Sequence, residues 1–176
     1  LLAHGAVKRV LIIGGGDGGL LEEVLKHDVE HVTEVELDGG VVEVSKKYLP
    51  GICGNAYDDP RVNLIIGDGA AYVADARDKF DIILVDSTDP ICPGAVLFTH
   101  EFYSNCKGLL NDGGVLVTQN GVPFVQGDEL KSSVGHFRSL FDDAGCYVIS
   151  CPTYALGFMA LGWATNDADL RWQSLD

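Results

Sequence analysis

The sequence has no apolar run of about 18 residues, so no stretch is long enough to span a membrane as a helix. Its start, residues 1–5, lacks the basic stretch and the long apolar stretch of a signal peptide. Basic residues are scarce, since 12 Lys and Arg stand against 26 Asp and Glu and give a net charge of −14. Because such a charge repels nucleic acid and anionic lipid surfaces, we expect neither as a partner.

Cysteine pairs with metal-site spacing are also missing. No C-x-x-C occurs, and the number of cysteines is odd, at five. This pattern argues against a disulfide framework and against a zinc site, and it predicts a reducing, cytoplasmic compartment. The five histidines show no ligand spacing either, so the sequence predicts no metal site.

Short apolar runs alternate with segments of helical spacing along the 176 residues, which predicts one α/β domain. Predicted strands cover 10–13, 32–37, 62–66, 82–85, 115–118, 147–150 and 158–164, and predicted helices cover 20–27, 41–48, 70–76, 97–110 and 128–144. Residues 50–60 are predicted as a loop and 111–114 as a turn. The predicted fold is a three-layer, Rossmann-like α/β fold whose mostly parallel sheet ends in an antiparallel C-terminal edge. Because no Met opens the chain and a strand follows almost at once, we expect a fragment with residues missing before Leu1.

The segment D-I-I-L-V-D-S-T-D-P at 81–90 contains a buried strand that ends in two carboxylates, Asp86 and Asp89. In open α/β sheets, ligands bind at the carboxyl ends of the strands. The D-x-x-D-P pattern alone is equally typical of a turn with two solvated aspartates. The other strand ends favour a site, because acidic or amide residues follow each predicted parallel strand: Asp17, Glu36, Asp68, Asp86 with Asp89, and Gln119. No Lys or Arg stands among them, so the sequence predicts an acidic rim at one edge of the sheet.

A glycine turn, G-G-G-D-G-G at 14–19, follows the first strand and begins with Gly14. Gly14, Gly16 and Gly19 match the dinucleotide fingerprint, with Glu36 near the position of the ribose-binding acid. Such a turn receives a pyrophosphate, which the carboxylate of Asp17 would repel. The turn therefore favours another ligand over a nicotinamide dinucleotide.

A nucleoside that carries positive charge fits these residues better. Glu36 can accept hydrogen bonds from both ribose hydroxyls, and Asp68 can accept one from an adenine amino group. Asp17 and Asp86 then face a cationic group beyond the ribose. The carboxylate of S-adenosylmethionine is disfavoured beside Asp17, whereas the decarboxylated compound ends in an ammonium group. The charges therefore favour decarboxylated S-adenosylmethionine.

Ten motifs together resemble the polyamine aminopropyltransferase family, and most closely a bacterial-type spermidine synthase, over nearly the whole chain. They are V-L-I-I-G-G-G-D-G-G (10–19), L-K-H (25–27), V-E-L-D (35–38), Y-L-P (48–50), D-D-P-R (58–61), G-D-G (67–69), D-I-I-L-V-D-S-T-D-P (81–90), L-F-T-H-E-F-Y (97–103), Q-N-G (119–121) and P-T-Y (152–154). The resemblance implies a class I methyltransferase-type sheet, with residues 1–176 forming a single catalytic domain that is cut short at both ends. It also implies that the full-length form is a homodimer or homotetramer. Family members begin with a β-rich domain that is absent here.

The resemblance also implies roles for single residues. Asp86 would be the catalytic acid and base, and the nucleoside would be bound by Gly14, Asp17, Glu36, Asp68, Gly69 and Pro93. The polyamine would be bound by Asp17, Asp86, Ser87, Thr88, Asp89, Gln119 and Tyr154. No metal and no cofactor are implied, since decarboxylated S-adenosylmethionine is a co-substrate. Cys92 stands where the family's D-P-x-G-P motif has glycine, which predicts a strained or shifted loop because Cys adopts positive φ poorly.

The implied reaction transfers an aminopropyl group from decarboxylated S-adenosylmethionine to putrescine, with spermidine and methylthioadenosine as products. One alternative is an S-adenosylmethionine-dependent methyltransferase, which shares the sheet and a glycine turn. Another is a fragment of the aminopropyltransferase that folds without turning over, because the N-terminal domain is missing.

Overall fold

The computed structural model of this chain describes residues 4–170 and forms a seven-stranded sheet with helices on both faces. The strands are β1 (Arg9–Gly14), β2 (His31–Glu36), β3 (Val62–Ile66), β4 (Phe80–Asp86), β5 (Leu110–Gln119), β6 (Asp143–Ser150) and β7 (Phe158–Thr165). The helices are α1 (Gly19–Leu25), α2 (Gly39–Tyr48), α3 (Pro50–Cys53), α4 (Gly69–Asp75), α5 (His100–Leu109) and α6 (Gly127–Leu140). Short 3₁₀ turns cover Ala56–Asp58, Cys92–Phe98 and Ala155–Gly157.

The strand order across the sheet is β3-β2-β1-β4-β5-β7-β6. Strands β1 to β5 pair in parallel, whereas β7 is antiparallel to both β5 and β6. The predicted mostly parallel sheet with an antiparallel C-terminal edge is therefore confirmed. Within residues 4–170, no helix is both long enough and apolar enough to cross a membrane.

Both faces of the sheet are covered, which explains why β1 is apolar throughout. Leu11 and Ile13 belong to the core that contains residues of α5 and α6, and Val10 and Ile12 belong to the core that contains residues of α1. Side chains alternate between the two faces along a strand, so a strand buried on both sides has no polar positions. The three-layer prediction follows from these uninterrupted runs.

Three predicted elements differ from the structure. The helix predicted over 128–144 ends at Leu140, because β6 begins at Asp143 and pairs with β7. Gly145 does not end a helix, but lies in β6 opposite Trp163, where an added Cβ would be 3.2 Å from the indole Nε1. Residues 111–114 form an irregularity within β5 and not a separate turn, since Phe80 pairs with Leu110 and Ile82 with Val115. The predicted loop 50–60 contains α3 and a 3₁₀ turn.

Candidate active site

A cavity of about 670 Å³ opens at the carboxyl ends of the parallel strands. Its walls come from the segments that follow β1, β2, β3, β4 and β5, together with Tyr154 before β7. The cavity brings together all twelve predicted site residues, which are Gly14, Asp17, Glu36, Asp68, Gly69, Asp86, Ser87, Thr88, Asp89, Pro93, Gln119 and Tyr154. Their roles in binding and catalysis remain predictions.

The glycine turn after β1 packs against the backbone of Asp86. The amide of Gly15 donates a 3.0 Å hydrogen bond to the carbonyl oxygen of Asp86. Gly14 has φ of +81°, and an added Cβ would lie 2.1 Å from that carbonyl oxygen. Only glycine fits such an approach. Asp17 lies at the exposed end of the turn, where its Oδ1 accepts a 2.9 Å hydrogen bond from the amide of Gly19 at the start of α1.

Glu36 connects the turns that follow β1 and β2. Its Oε2 accepts a 3.0 Å hydrogen bond from the amide of Gly16, and its Oε1 accepts one of 2.9 Å from the amide of Asp38. These two bonds fix the carboxylate at the cavity wall. Because each carboxylate oxygen has a further lone pair, Glu36 can still accept hydrogen bonds from a ligand.

Two carboxylates of the cavity also cap helices. Asp68 Oδ1 accepts hydrogen bonds from the amides of Ala70 and Ala71, at 2.8 and 3.3 Å, and so caps α4. Asp38 caps α2 in the same way through the amide of Gly40. The sequence interpretation did not include Asp38, although an Asp before an amphipathic helix is a typical N-cap signal. A carboxylate at a helix N-terminus is held in a defined position, which suits a ligand-binding group.

Asp86 lies at the end of β4 with its carboxylate accessible from the cavity. Surrounding protein atoms raise its pKa above the usual range by desolvation, and the charges of Asp17 and then Glu36 raise it further. A carboxylate with a raised pKa holds a proton more readily than a solvated one. Asp86 is therefore suited to accept a proton from a cationic ligand.

The loop after β4 forms one side of the cavity and folds tightly on itself. An added Cβ at Gly94 would lie 2.7 Å from the carbonyl oxygen of Asp89 and 2.9 Å from Thr88 Oγ1. This contact brings Pro93 beside the D-S-T-D segment, and both line the cavity. The side chain of Cys92, for which the sequence predicts strain, lies outside the described part of the structure.

Gln119 and Tyr154 contribute polar groups to the opposite wall. Gln119 is 8% exposed, and its Oε1 has no hydrogen-bond partner among residues 4–170. Tyr154 is 44% exposed. Partial burial raises the pKa of its phenol, and the charge of Asp86 is the next largest cause. Both side chains can therefore still bond a ligand.

Glu34 is an acidic residue beside the cavity that the sequence interpretation missed. It lies in the middle of β2, is 0% exposed, and its Oε1 accepts a 2.9 Å hydrogen bond from the hydroxyl of Tyr57. Desolvation raises its pKa to about 8, and the charges of Glu36, Asp17 and Asp86 add to the shift. Glu34 is therefore protonated at neutral pH. An isolated Glu within a β-branched run was the signal for an unusual environment.

The charge of the cavity has one sign. Six of its lining residues are acidic, namely Asp17, Glu36, Asp38, Asp68, Asp86 and Asp89, and none of the described lining residues is Lys, Arg or His. Within the described chain, no three His, Cys, Asp or Glu side chains are arranged to hold a metal ion. The cavity is thus suited to an organic cation with several hydrogen-bond donors.

Comparison with known sequences identifies the family. The profile of the spermine/spermidine synthase domain matches residues 1–173. The chain belongs to this family. It is 58% identical over 172 residues to a polyamine aminopropyltransferase of Ruegeria sp. (strain TM1040), covering 97% of this chain and 61% of the relative. It is 51% identical over 172 residues to polyamine aminopropyltransferase 1 of Pseudomonas aeruginosa, covering 97% of this chain and 60% of the relative.

Solved structures agree with this assignment. A crystal structure of spermidine synthase in complex with the transition-state analogue AdoDATO matches with a TM-score of 0.91 and 39% identity, covering 96% of this chain and 58% of that one. Spermidine synthase from Thermotoga maritima matches with a TM-score of 0.86 and 37% identity, covering 96% and 56% respectively. The predicted methyltransferase-like architecture is thereby confirmed as that of spermidine synthases. The family chain studied here spans about 60% of the length of its relatives.

Proposed function

We propose that this chain carries the active site of a polyamine aminopropyltransferase that uses decarboxylated S-adenosylmethionine and putrescine, and that forms spermidine and methylthioadenosine. The observation that carries the proposal is the cavity with six acidic lining residues and no basic one among those described. Both substrates are cations, and carboxylates in a partly desolvated site attract them more strongly than they would in water. The AdoDATO complex of a spermidine synthase with a matching fold supports the same class of ligand.

The nucleoside occupies the side of the cavity formed by the turns after β1, β2 and β3. Glu36, fixed by the amides of Gly16 and Asp38, accepts hydrogen bonds from the ribose hydroxyls. Asp68, fixed as the cap of α4, accepts one from the adenine amino group. Asp17 faces the ammonium group of the aminopropyl arm. A carboxylate on that arm, as in S-adenosylmethionine, would be repelled by Asp17.

Putrescine occupies the side formed by the loop after β4 and by Tyr154. One of its ammonium groups loses a proton to Asp86, which exposes the nitrogen lone pair. The nitrogen attacks the aminopropyl carbon next to sulfur, and the carbon–sulfur bond breaks with its electron pair going to sulfur. Methylthioadenosine leaves as a neutral thioether, so the leaving group needs no acid. The proton on Asp86 then passes to water.

Calorimetric titration with methylthioadenosine, decarboxylated S-adenosylmethionine and S-adenosylmethionine tests the binding half of this proposal. We expect the decarboxylated compound to bind more tightly than S-adenosylmethionine. The opposite order would assign the site to a methyltransferase. Binding is measured separately from turnover, because the chain spans 61% of the Ruegeria enzyme. Binding without turnover would identify a nucleoside-binding fragment.

Asp86→Asn tests the catalytic half. We expect the variant to lose at least about 100-fold in turnover, since a positioned general base contributes at least that factor, while it keeps its affinity for methylthioadenosine. Asp75→Asn is the matched control, because Asp75 is exposed at the end of α4 and does not line the cavity. Equal turnover in Asp86→Asn and Asp75→Asn would remove Asp86 from the role of base.

A further inference from the structure

Tyr57 supports the underside of the glycine turn. Gly18 has φ of +75°, and an added Cβ would lie 2.8 Å from Tyr57 Cε2 and 2.6 Å from the Cβ of Cys53. Gly18 closes the turn, since its amide donates a 2.8 Å hydrogen bond to the carbonyl oxygen of Gly15. The phenol ring therefore lies directly against the residue that follows Asp17.

Glu34 in turn holds the phenol. Its Oε1 accepts the 2.9 Å hydrogen bond from the Tyr57 hydroxyl, while its Oε2 has no partner in the part of the chain that the structure describes. A fully buried carboxyl group with one unpartnered oxygen is costly to fold. Leu or Met would fill the same position in β2 without that cost. The carboxyl group is thus placed where its single contact is the hydroxyl that fixes the ring.

We propose that Glu34 and Tyr57 form a positioning pair for Asp17, in which the buried carboxyl group holds the phenol and the phenol ring holds the glycine turn. The inference rests on the proposed function, because Asp17 is there assigned to the ammonium group of the aminopropyl arm. The pair acts through Asp17 and touches no substrate. It selects for ligands that carry the aminopropyl arm and leaves the nucleoside contacts of Glu36 and Asp68 unchanged.

The protonation of Glu34 belongs to this arrangement. The charged groups that face it are Glu36 on β2, Asp17 on the turn and Asp86 on β4. Tyr57 is also close to Cys53, and Lys46 Nζ lies 5.9 Å from the centroid of its ring. Because Glu34 is protonated at neutral pH, it adds no fourth negative charge beside Asp17, Glu36 and Asp86. The phenol keeps its proton as well, since burial and Glu34 raise its pKa.

Two ligands separate positioning from a general effect on folding. We expect Tyr57→Phe to lower the affinity for decarboxylated S-adenosylmethionine about fivefold, the usual worth of one buried hydrogen bond, and to leave the affinity for methylthioadenosine within about twofold. In an Asp17→Asn background, Tyr57→Phe should cause no additional loss. Glu34→Gln keeps an acceptor for the hydroxyl and should behave like the unmodified chain, whereas Glu34→Leu should behave like Tyr57→Phe.

Amide hydrogen exchange gives a readout that needs no ligand. The Gly19 amide is bonded to Asp17 Oδ1, so its exchange should become about fivefold faster in Tyr57→Phe and Glu34→Leu, and stay unchanged in Glu34→Gln. Unchanged exchange and unchanged ligand preference in Tyr57→Phe would overturn the positioning pair. Equal losses for both ligands, in the Asp17→Asn background as well, would also overturn it. An unmodified chain that binds neither nucleoside would contradict the proposed function, and the exchange of Gly19 would still decide the role of the pair.

Discussion

The amide of Gly15 donates a hydrogen bond to the carbonyl oxygen of Asp86, so the turn after β1 and the end of β4 are joined at the centre of the sheet. The strands themselves pair in parallel up to Gly14 and Asp86. One bond beyond the paired strands thus fixes the glycine turn relative to the predicted catalytic carboxylate. The geometry at Gly14 makes this junction sensitive to a single methyl group.

Gly14→Ala should destabilise the chain by at least about 3 kcal/mol, because the added Cβ meets a backbone carbonyl oxygen at 2.1 Å and Ala is strained at φ of +81°. Gly135→Ala is the matched control. Gly135 lies within α6, and an added Cβ there meets no atom within 4 Å, so Ala should stabilise the chain by about 0.5–1 kcal/mol. Urea denaturation of both variants measures the difference. Changes of the same sign would contradict this account of Gly14.

Glu34→Gln should change how stability depends on pH. The pKa of Glu34 is raised to about 8 in the folded chain, from an ordinary value near 4.5. The folded state therefore binds the proton more tightly than the unfolded state, and this contribution to stability is lost as pH rises from about 4.5 to about 8. Gln does not titrate, so the variant should lack this loss, which amounts to about 1.4 kcal/mol per pH unit within that range. Unfolding free energies measured at pH 5, 6.5 and 8 test it.

Glu23→Gln is the control for this pH series. Lys26 donates a hydrogen bond to Glu23 and lowers its pKa, so stability from that carboxylate is lost only as pH falls through the acid range. The slope between pH 5 and 8 should therefore be the same as in the unmodified chain. A slope that is equal in Glu34→Gln and Glu23→Gln would mean that Glu34 is ionised when folded.

Arg61→Lys should cost about 1.5–3 kcal/mol of stability. The guanidinium of Arg61 donates to the carbonyl oxygens of Leu25 and Val29, at 3.0 and 3.4 Å, and pairs with Asp59 at 2.9 Å. It thus satisfies the end of α1, and one ammonium group cannot replace several divergent donors. Arg77→Lys, at an exposed position, should stay within about 0.5 kcal/mol. Equal stabilities of the two variants in urea would contradict this role.

Leu156→Gly should stabilise the chain by about 0.5–1 kcal/mol. Leu156 has φ of +64°, it is the one non-glycine residue with positive φ among those described, and it is 62% exposed. The relief of left-handed strain outweighs the larger entropy that glycine loses on folding. Ala155→Gly, one residue earlier, has no such strain to relieve and should destabilise the chain. Thermal unfolding of both variants decides the sign.

The predicted site residues share one cavity because parallel strands run in one direction. Asp17, Glu36, Asp68, Asp86 and Gln119 each follow such a strand, so the strand ends alone were enough to place them together. The family motifs added Pro93 and Tyr154, which no strand end predicts. The roles of these residues in binding and catalysis are predictions that the titrations above test.

Other features depend on contacts between distant segments and left no readable local pattern. Glu34 occupies a position that local alternation does not mark as special, and its environment depends on Tyr57, which comes from a segment predicted as a loop. The helical spacing of α6 continues past Leu140, yet pairing with β7 takes the chain from Asp143 into β6. Tertiary pairing outweighs local propensity at such boundaries.

The order of the last strands has a consequence for synthesis of the chain. Strand β7 lies between β5 and β6, although β6 precedes it in the sequence. While the chain grows from its N-terminus, β6 emerges before the strand with which it pairs, and its backbone hydrogen-bonding groups stay open until Phe158–Thr165 has been made. A stop codon after Ser150 would therefore remove two strands from the sheet, since β6 would have no neighbour left.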